Sequence, residues 1–85
     1  MRHARPERLQ ALAGLLDSLR ALPGLTERQT GIFYVKSRAY LHFHEDSSGL
    51  YADIRLGDAD FTRLPVDSVD DQQRLLSLAL ADRLG

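Results

Sequence analysis

Two histidines spaced two residues apart carry the clearest candidate chemistry of this chain. His42 and His44 lie in the run Tyr40-Leu41-His42-Phe43-His44, where apolar and polar residues alternate. Side chains two positions apart on a β-strand point to the same face, so the two imidazoles are placed to reach one metal ion or one proton. An acidic residue of the following turn, or Asp53, would supply the third ligand that a metal needs.

The residues after this pair do not complete a known metal pattern. A His-x-His pair opens the cupin metal motif, which places a Glu four or five residues after the second His, where this chain has Ser48 and Gly49. We therefore predict no bound metal, no cofactor and no catalytic residue. A metal-binding or catalytic site at His42 and His44 is kept as an alternative.

Acid–base catalysis would need more than this pair of side chains. It requires paired groups in a cleft, with pKa values moved from their usual range. His42 with Asp53 or Tyr51 would form such a pair, but a flat sheet in a chain of 85 residues offers little concavity. We predict that the protein is not an enzyme.

Length and composition indicate one small domain over residues 1–85, of which residues 1–5 are predicted to form a disordered arm. The chain has no cysteine, which excludes disulfides and thiolate chemistry. Its apolar runs are far too short to span a bilayer, so we expect no membrane partner and a cytoplasmic location. The net charge is −1 and the pI is about 6.3, which argues against strong nonspecific nucleic-acid binding.

Hydrophobic spacing predicts a helix, four strands and a second helix. Leucines recur at three- and four-residue steps over Glu7–Leu22, and a Pro-Gly pair follows. Residues 25–30 are predicted to be a connection. Ser68 is a good N-cap for a final helix over Val69–Arg83. The strands are short, β-rich in composition and bounded by turn residues; they are Ile32–Lys36, Tyr40–His44, Leu50–Leu56 and Asp60–Leu64. One apolar face of the final helix is marked by Val69, Gln73, Leu76, Leu80 and Leu84.

The fold class predicted from these elements is α+β, in the order α-β-β-β-β-α. We expect a two-layer sandwich: a four-stranded antiparallel meander with both helices on one face. Alternation places Phe43 opposite both Phe33 and Leu50 on the buried face. A two-residue turn at Gly57-Asp58 would place Ile54 opposite Phe61.

The same alternation predicts an open sheet face of unusual composition. Aromatic, histidine and charged side chains share it, a mixture that suits partner proteins or stacked bases. The predicted binding surface consists of Tyr34, Lys36, Tyr40, His42, His44, Tyr51, Asp53 and Arg55.

Two segments of the chain resemble the N-terminal half of the MmcQ/YjbR family. They are ALPGLTER at residues 21–28 and IFYVKSRAYLHFHED at residues 32–46. The resemblance implies a frataxin-like fold, with two helices on one antiparallel sheet. Family members are longer and carry a Gly-Trp near their end, whereas this chain has no Trp. The chain therefore resembles a shortened member of this family. Members of the family are often labelled DNA-binding.

The function that we predict is a small non-enzymatic binding module that uses the open aromatic-histidine face. A partner protein, or a second copy of the chain, is the expected partner, with the broad apolar final helix as another dimerisation surface. Nucleic-acid binding of the MmcQ/YjbR type is an alternative. It would use the tyrosines together with Arg2, Arg5, Arg8, Lys36 and Arg38.

Overall fold

A computed structural model describes residues 2–84 and confirms the α+β class. Helices lie at both ends of the chain, with an antiparallel sheet between them. The helices are α1 (Pro6–Gln10), α2 (Ala13–Arg20) and α3 (Val69–Leu84). The strands are β1 (Arg2–His3), β2 (Thr26–Gln29), β3 (Ile32–Val35), β4 (Arg38–Asp46), β5 (Gly49–Ile54) and β6 (Thr62–Pro65).

The sheet has more strands than the four that we predicted. Neighbouring strands follow the order β2-β3-β4-β5-β6. Strand β1 pairs with the same edge of β4 as β3 does, farther along β4. The predicted connection at residues 25–30 was wrong because it contains strand β2. That strand is polar, so hydrophobic alternation does not reveal it, and charged residues are typical of a sheet edge.

The predicted disordered arm also differs from the structure. The backbone of Arg2–His3 pairs with β4, and Met1 lies outside the described residues. Arg5 donates hydrogen bonds from its backbone N, Nε and Nη2 to the carboxylate of Glu45, which is only 5% exposed. A buried carboxylate needs such partners, and this requirement ties the arm to the sheet.

Phe33, Phe43 and Leu50 lie on the buried face of the sheet as predicted, although their predicted register was wrong. Phe43 pairs with Ala52 instead of Leu50, a shift of two residues, because β4 continues to Asp46 and the hairpin closes through Ser47-Ser48. A shift of two keeps each side chain on its face. One hydrophobic cluster therefore includes this sheet face and the buried leucines of both helices.

Tyr40 was predicted on the open face and lies in the core instead. The pairing of β3 with β4 jumps from Tyr34↔Ala39 to Phe33↔Leu41, which leaves Tyr40 as the extra residue of a β-bulge. Tyr40 is 3% exposed, and its hydroxyl donates a 2.8 Å hydrogen bond to Asp82 of α3. Burial and this hydrogen bond raise the pKa of Tyr40.

The predicted two-residue turn at Gly57-Asp58 was also wrong. A 3-10 turn spans Leu56–Asp58, and β6 begins only at Thr62, which pairs with Ile54. Gly57 has a φ of 60° within this turn, in the left-handed region that suits glycine. Its backbone N donates to Asp82. The longer connection moves Phe61 off the buried face.

The predicted N-terminal helix is interrupted at Ala11-Leu12, between α1 and α2. No proline marks the break. Leu12 takes φ −104° and ψ 13° and is almost fully buried, so core packing accounts for the interruption.

The final helix begins as predicted but buries a different face. The Ser68 hydroxyl accepts a hydrogen bond from the backbone N of Asp71, as an N-cap should. Leu75 and Ala79 face the core, whereas Val69, Leu80 and Leu84 of the marked stripe are exposed. Leucines surround most of this helix, so periodicity alone does not select the buried side.

Substitutions on α3 test this orientation. Leu75 is fully buried and Leu80 is 42% exposed, so we expect Leu75→Ala to lower the free energy of unfolding by about 2–5 kcal/mol. The control Leu80→Ala should lower it by less than about 1 kcal/mol. Urea denaturation followed by circular dichroism measures both, and a larger effect for Leu80→Ala would contradict this packing.

Candidate functional site

The sheet face turned away from the helices forms the candidate site, which we call the open face. Its members alternate along the strands with the buried residues, and ring and ion-pair contacts connect them. The open face consists of Arg28, Tyr34, His42, His44, Tyr51, Asp53, Arg55, Phe61 and Arg63.

The centre of the open face is a cluster around Asp53. Strand pairing places His42 and Arg63 on either side of it. Arg63 donates two hydrogen bonds to the carboxylate, from Nε to Oδ1 at 2.7 Å and from Nη2 to Oδ2 at 2.8 Å. His44 Nε2 lies 3.1 Å from Asp53 Oδ2, and the two imidazole rings are 4.6 Å apart.

The Asp53 carboxylate is stabilised in its charged form. It is only 6% exposed, and the paired hydrogen bonds from Arg63 lower its pKa against the opposing effect of burial. The two imidazoles add a smaller effect in the same direction. Arg63 therefore keeps a buried negative charge in place beside two histidines.

Phe61 is a central residue that the sequence interpretation missed. The centroids of the Phe61 and His42 rings lie 4.8 Å apart in an edge-to-face contact. The Arg55 guanidinium lies 4.3 Å from the centroid of the Phe61 ring. Phe61 is 37% exposed. The predicted register had assigned this ring to the core, because it assumed a shorter connection before β6.

A second stacked pair lies on β2 and β3. The guanidinium of Arg28 is 4.5 Å from the centroid of the Tyr34 ring. Arg28 and Arg55 form no ion pair with any carboxylate among the side chains that the structure describes. Their charges are therefore not neutralised within the described chain, unlike that of Arg63.

The structure brings together only some of the predicted site residues. His42, His44 and Asp53 form the central cluster, and Tyr51 lies beside it, with its hydroxyl 2.7 Å from Ser48 Oγ. Tyr34 and Arg55 belong to the two stacked pairs. Tyr40 belongs to the core, and Lys36 lies in the turn between β3 and β4. Arg63 carries the charge opposite to that of Asp53. If the register of β6 had been known, this would have predicted the ion pair between them.

One group on the open face has the donor set of a metal site. Ligand atoms of His42, His44 and Asp53 all lie within 4.8 Å of one another. Two imidazole nitrogens and a carboxylate oxygen are common zinc ligands, placed on the order of 3.3 Å apart around the ion. Side-chain rotations would have to bring the three atoms closer than they are.

Comparison with known proteins finds no matching family model, no matching curated sequence and no matching solved structure. The resemblance to the MmcQ/YjbR family therefore stays a prediction. What the geometry defines is the class: an α+β domain with one sheet face free of helices. Within residues 2–84, no helix has the length and apolarity needed to cross a membrane.

The lowered pKa of Asp53 predicts how stability depends on pH. The charged carboxylate is favoured in the folded state, so its stabilisation is complete above the ordinary value of about 3.9 and is lost as pH falls through the lower folded-state pKa. We expect the free energy of unfolding of Asp53→Asn to vary less with pH than that of the wild type between about pH 5 and pH 2.

Urea denaturation at a series of pH values measures this difference. The control Asp60→Asn changes an exposed carboxylate that makes no hydrogen bond or ion pair among the described residues, and it should follow the wild-type curve. If the free energies of unfolding of Asp53→Asn and the wild type changed in parallel with pH, the Arg63 contact would not stabilise the charged form of Asp53.

Proposed function

We propose that the protein is a non-enzymatic binding module whose open face binds an acidic segment of a partner protein. The observation that supports it is the pair of stacked arginines. Arg28 on Tyr34 and Arg55 on Phe61 place cations beside aromatic rings, and neither cation has a carboxylate partner among the described side chains.

This combination is suited to protein recognition. Arginine and aromatic residues dominate the energetics of protein interfaces, and a guanidinium fork matches a carboxylate in two hydrogen bonds. Stacking on a ring holds each guanidinium in one place, which reduces the conformational entropy that binding would remove. Phe61 lies between Arg55 and His42 and would serve as the apolar anchor.

The charge of the open face favours an acidic partner over a second copy of the chain. A symmetric dimer would bring the same patch of each chain together, and with it two sets of uncompensated arginines. Like charges placed across an interface cost several kcal/mol. An Asp- or Glu-rich segment would neutralise them instead.

A displayed library of random peptides tests the proposed partner class. We expect peptides selected on the wild-type protein to be enriched in Asp and Glu together with an aromatic or aliphatic residue. Their affinity for the Phe61→Ala and Arg28→Gln variants should be at least about tenfold lower, since each substitution removes a side chain that we propose contacts the partner.

The matched control is Arg74→Gln, which removes an exposed cation from α3 and should leave peptide affinity unchanged. Selection of peptides without acidic residues, or binding that Leu84→Ala abolishes and Phe61→Ala does not, would contradict the proposal. Tighter binding to single-stranded oligonucleotides than to any peptide, weakening steeply with salt, would favour the nucleic-acid alternative.

A second candidate function is zinc binding at His42, His44 and Asp53, favoured by the convergence of their ligand atoms. Arg63 would then hold the carboxylate from outside the metal shell, as outer hydrogen bonds commonly do. The remaining coordination position would be open to water or to a ligand atom of a partner.

Calorimetric titration with zinc tests this candidate. We expect binding near neutral pH that weakens as pH falls, because protons compete for the imidazole nitrogens. His44→Ala should weaken it at least about tenfold, whereas Tyr51→Phe should not change it. Equal zinc affinity in His44→Ala and the wild type would contradict a site here.

A further inference from the structure

A cavity separate from the centre of the open face lies at the turn between β3 and β4. Its volume is about 390 Å³, which falls within the range of small-molecule sites. The turn, the start of β4, the end of β5 and the C-terminal part of α3 surround it. The lining residues are Val35, Lys36, Ser37, Arg38, Ala39, Tyr40, Arg55 and Arg83.

Among the side chains that the structure describes, the charged ones that line this cavity all have one sign of charge. Lys36, Arg38, Arg55 and Arg83 are all cations, and no acidic residue of the described chain lines the cavity. The nearby carboxylate of Asp82 accepts hydrogen bonds from the Tyr40 hydroxyl and the backbone N of Gly57 and is not part of the lining. A concave wall of like charges concentrates positive potential.

Two of the guanidinium groups are held by carbonyl oxygens and not by carboxylates. Arg55 donates from Nε to the carbonyl O of Ala39 at 3.0 Å and from Nη1 to that of Ala59 at 3.3 Å. Arg83 Nε lies 3.5 Å from the carbonyl O of Pro23. Carbonyl partners fix the position of a guanidinium without cancelling its charge, and each group keeps further N–H donors.

The backbone at Lys36 supports a role for this residue at the cavity. Lys36 has a φ of 57°, and it is the one described non-glycine residue in the left-handed region. Glycine suits that conformation better, so a lysine lowers stability at this turn. Strained residues are concentrated at functional sites, and this one adds a fourth cation to the cavity.

We propose that this cavity binds a small phosphate-bearing ligand. Four cationic residues line this one cavity, more than a single carboxylate requires, whereas a diphosphate carries several negative charges and oxygens that match arginine forks. Their place around one cavity favours a small ligand over a nucleic-acid backbone. The site goes beyond the proposed partner binding, and Arg55 is the one residue of the open face among its described lining residues.

Titration with inorganic pyrophosphate at low ionic strength tests this site. We expect saturable binding by calorimetry, with amide chemical-shift changes centred on the β3–β4 turn, that weakens as salt is added. Lys36→Gly removes one cation and permits the positive φ, so affinity should fall roughly tenfold while the melting temperature stays level or rises. The control Arg74→Gln should change neither quantity.

Several results would overturn the proposal. Unchanged pyrophosphate affinity in Lys36→Gly, or shift changes centred away from the turn, would place binding elsewhere. Citrate binding as tightly as pyrophosphate would assign the cavity to polycarboxylates. An oligonucleotide that binds far more tightly than pyrophosphate and perturbs the same amides would assign it to nucleic acid.

Discussion

The antiparallel pairing of β4 with β5 determines what both faces of the sheet present. Because Phe43 pairs with Ala52 on the buried face, His42 pairs with Asp53 on the open face, and a slip of one residue would exchange the two faces. Apolar burial thus supplies the free energy that holds a carboxylate and two imidazoles, those of His42 and His44, close together. Arg63 on the next strand then offsets the cost of burying that carboxylate.

Charge compensation separates two pairs of arginines among the described residues. Arg63 is neutralised by Asp53, and Arg5 by Glu45, so both contribute to the fold. Arg28 and Arg55 are held by rings and carbonyl oxygens, and no carboxylate of the described chain neutralises them. An external anion can therefore bind them without displacing a carboxylate, and this distinction underlies both proposed binding sites.

The sequence predicts the parts of this fold that depend on local alternation. Phe43 was placed in the core because alternation survives a register shift of two, and the Ser68 cap depends on neighbouring residues alone. Tyr40 was misplaced because a β-bulge reverses the alternation without any signal in residue type. Phe61 and Arg63 were missed because the length of the connection before β6 sets their register, and that length follows from tertiary contacts.

Amide chemical-shift mapping would show whether a partner binds at the open face. The isotopically labelled protein would be titrated with a peptide rich in Asp and Glu that also contains one Phe. We expect the largest shift changes at Arg28, Tyr34, His42, Arg55 and Phe61. Changes confined to the exposed stripe of α3, at Val69, Leu80 and Leu84, would contradict it.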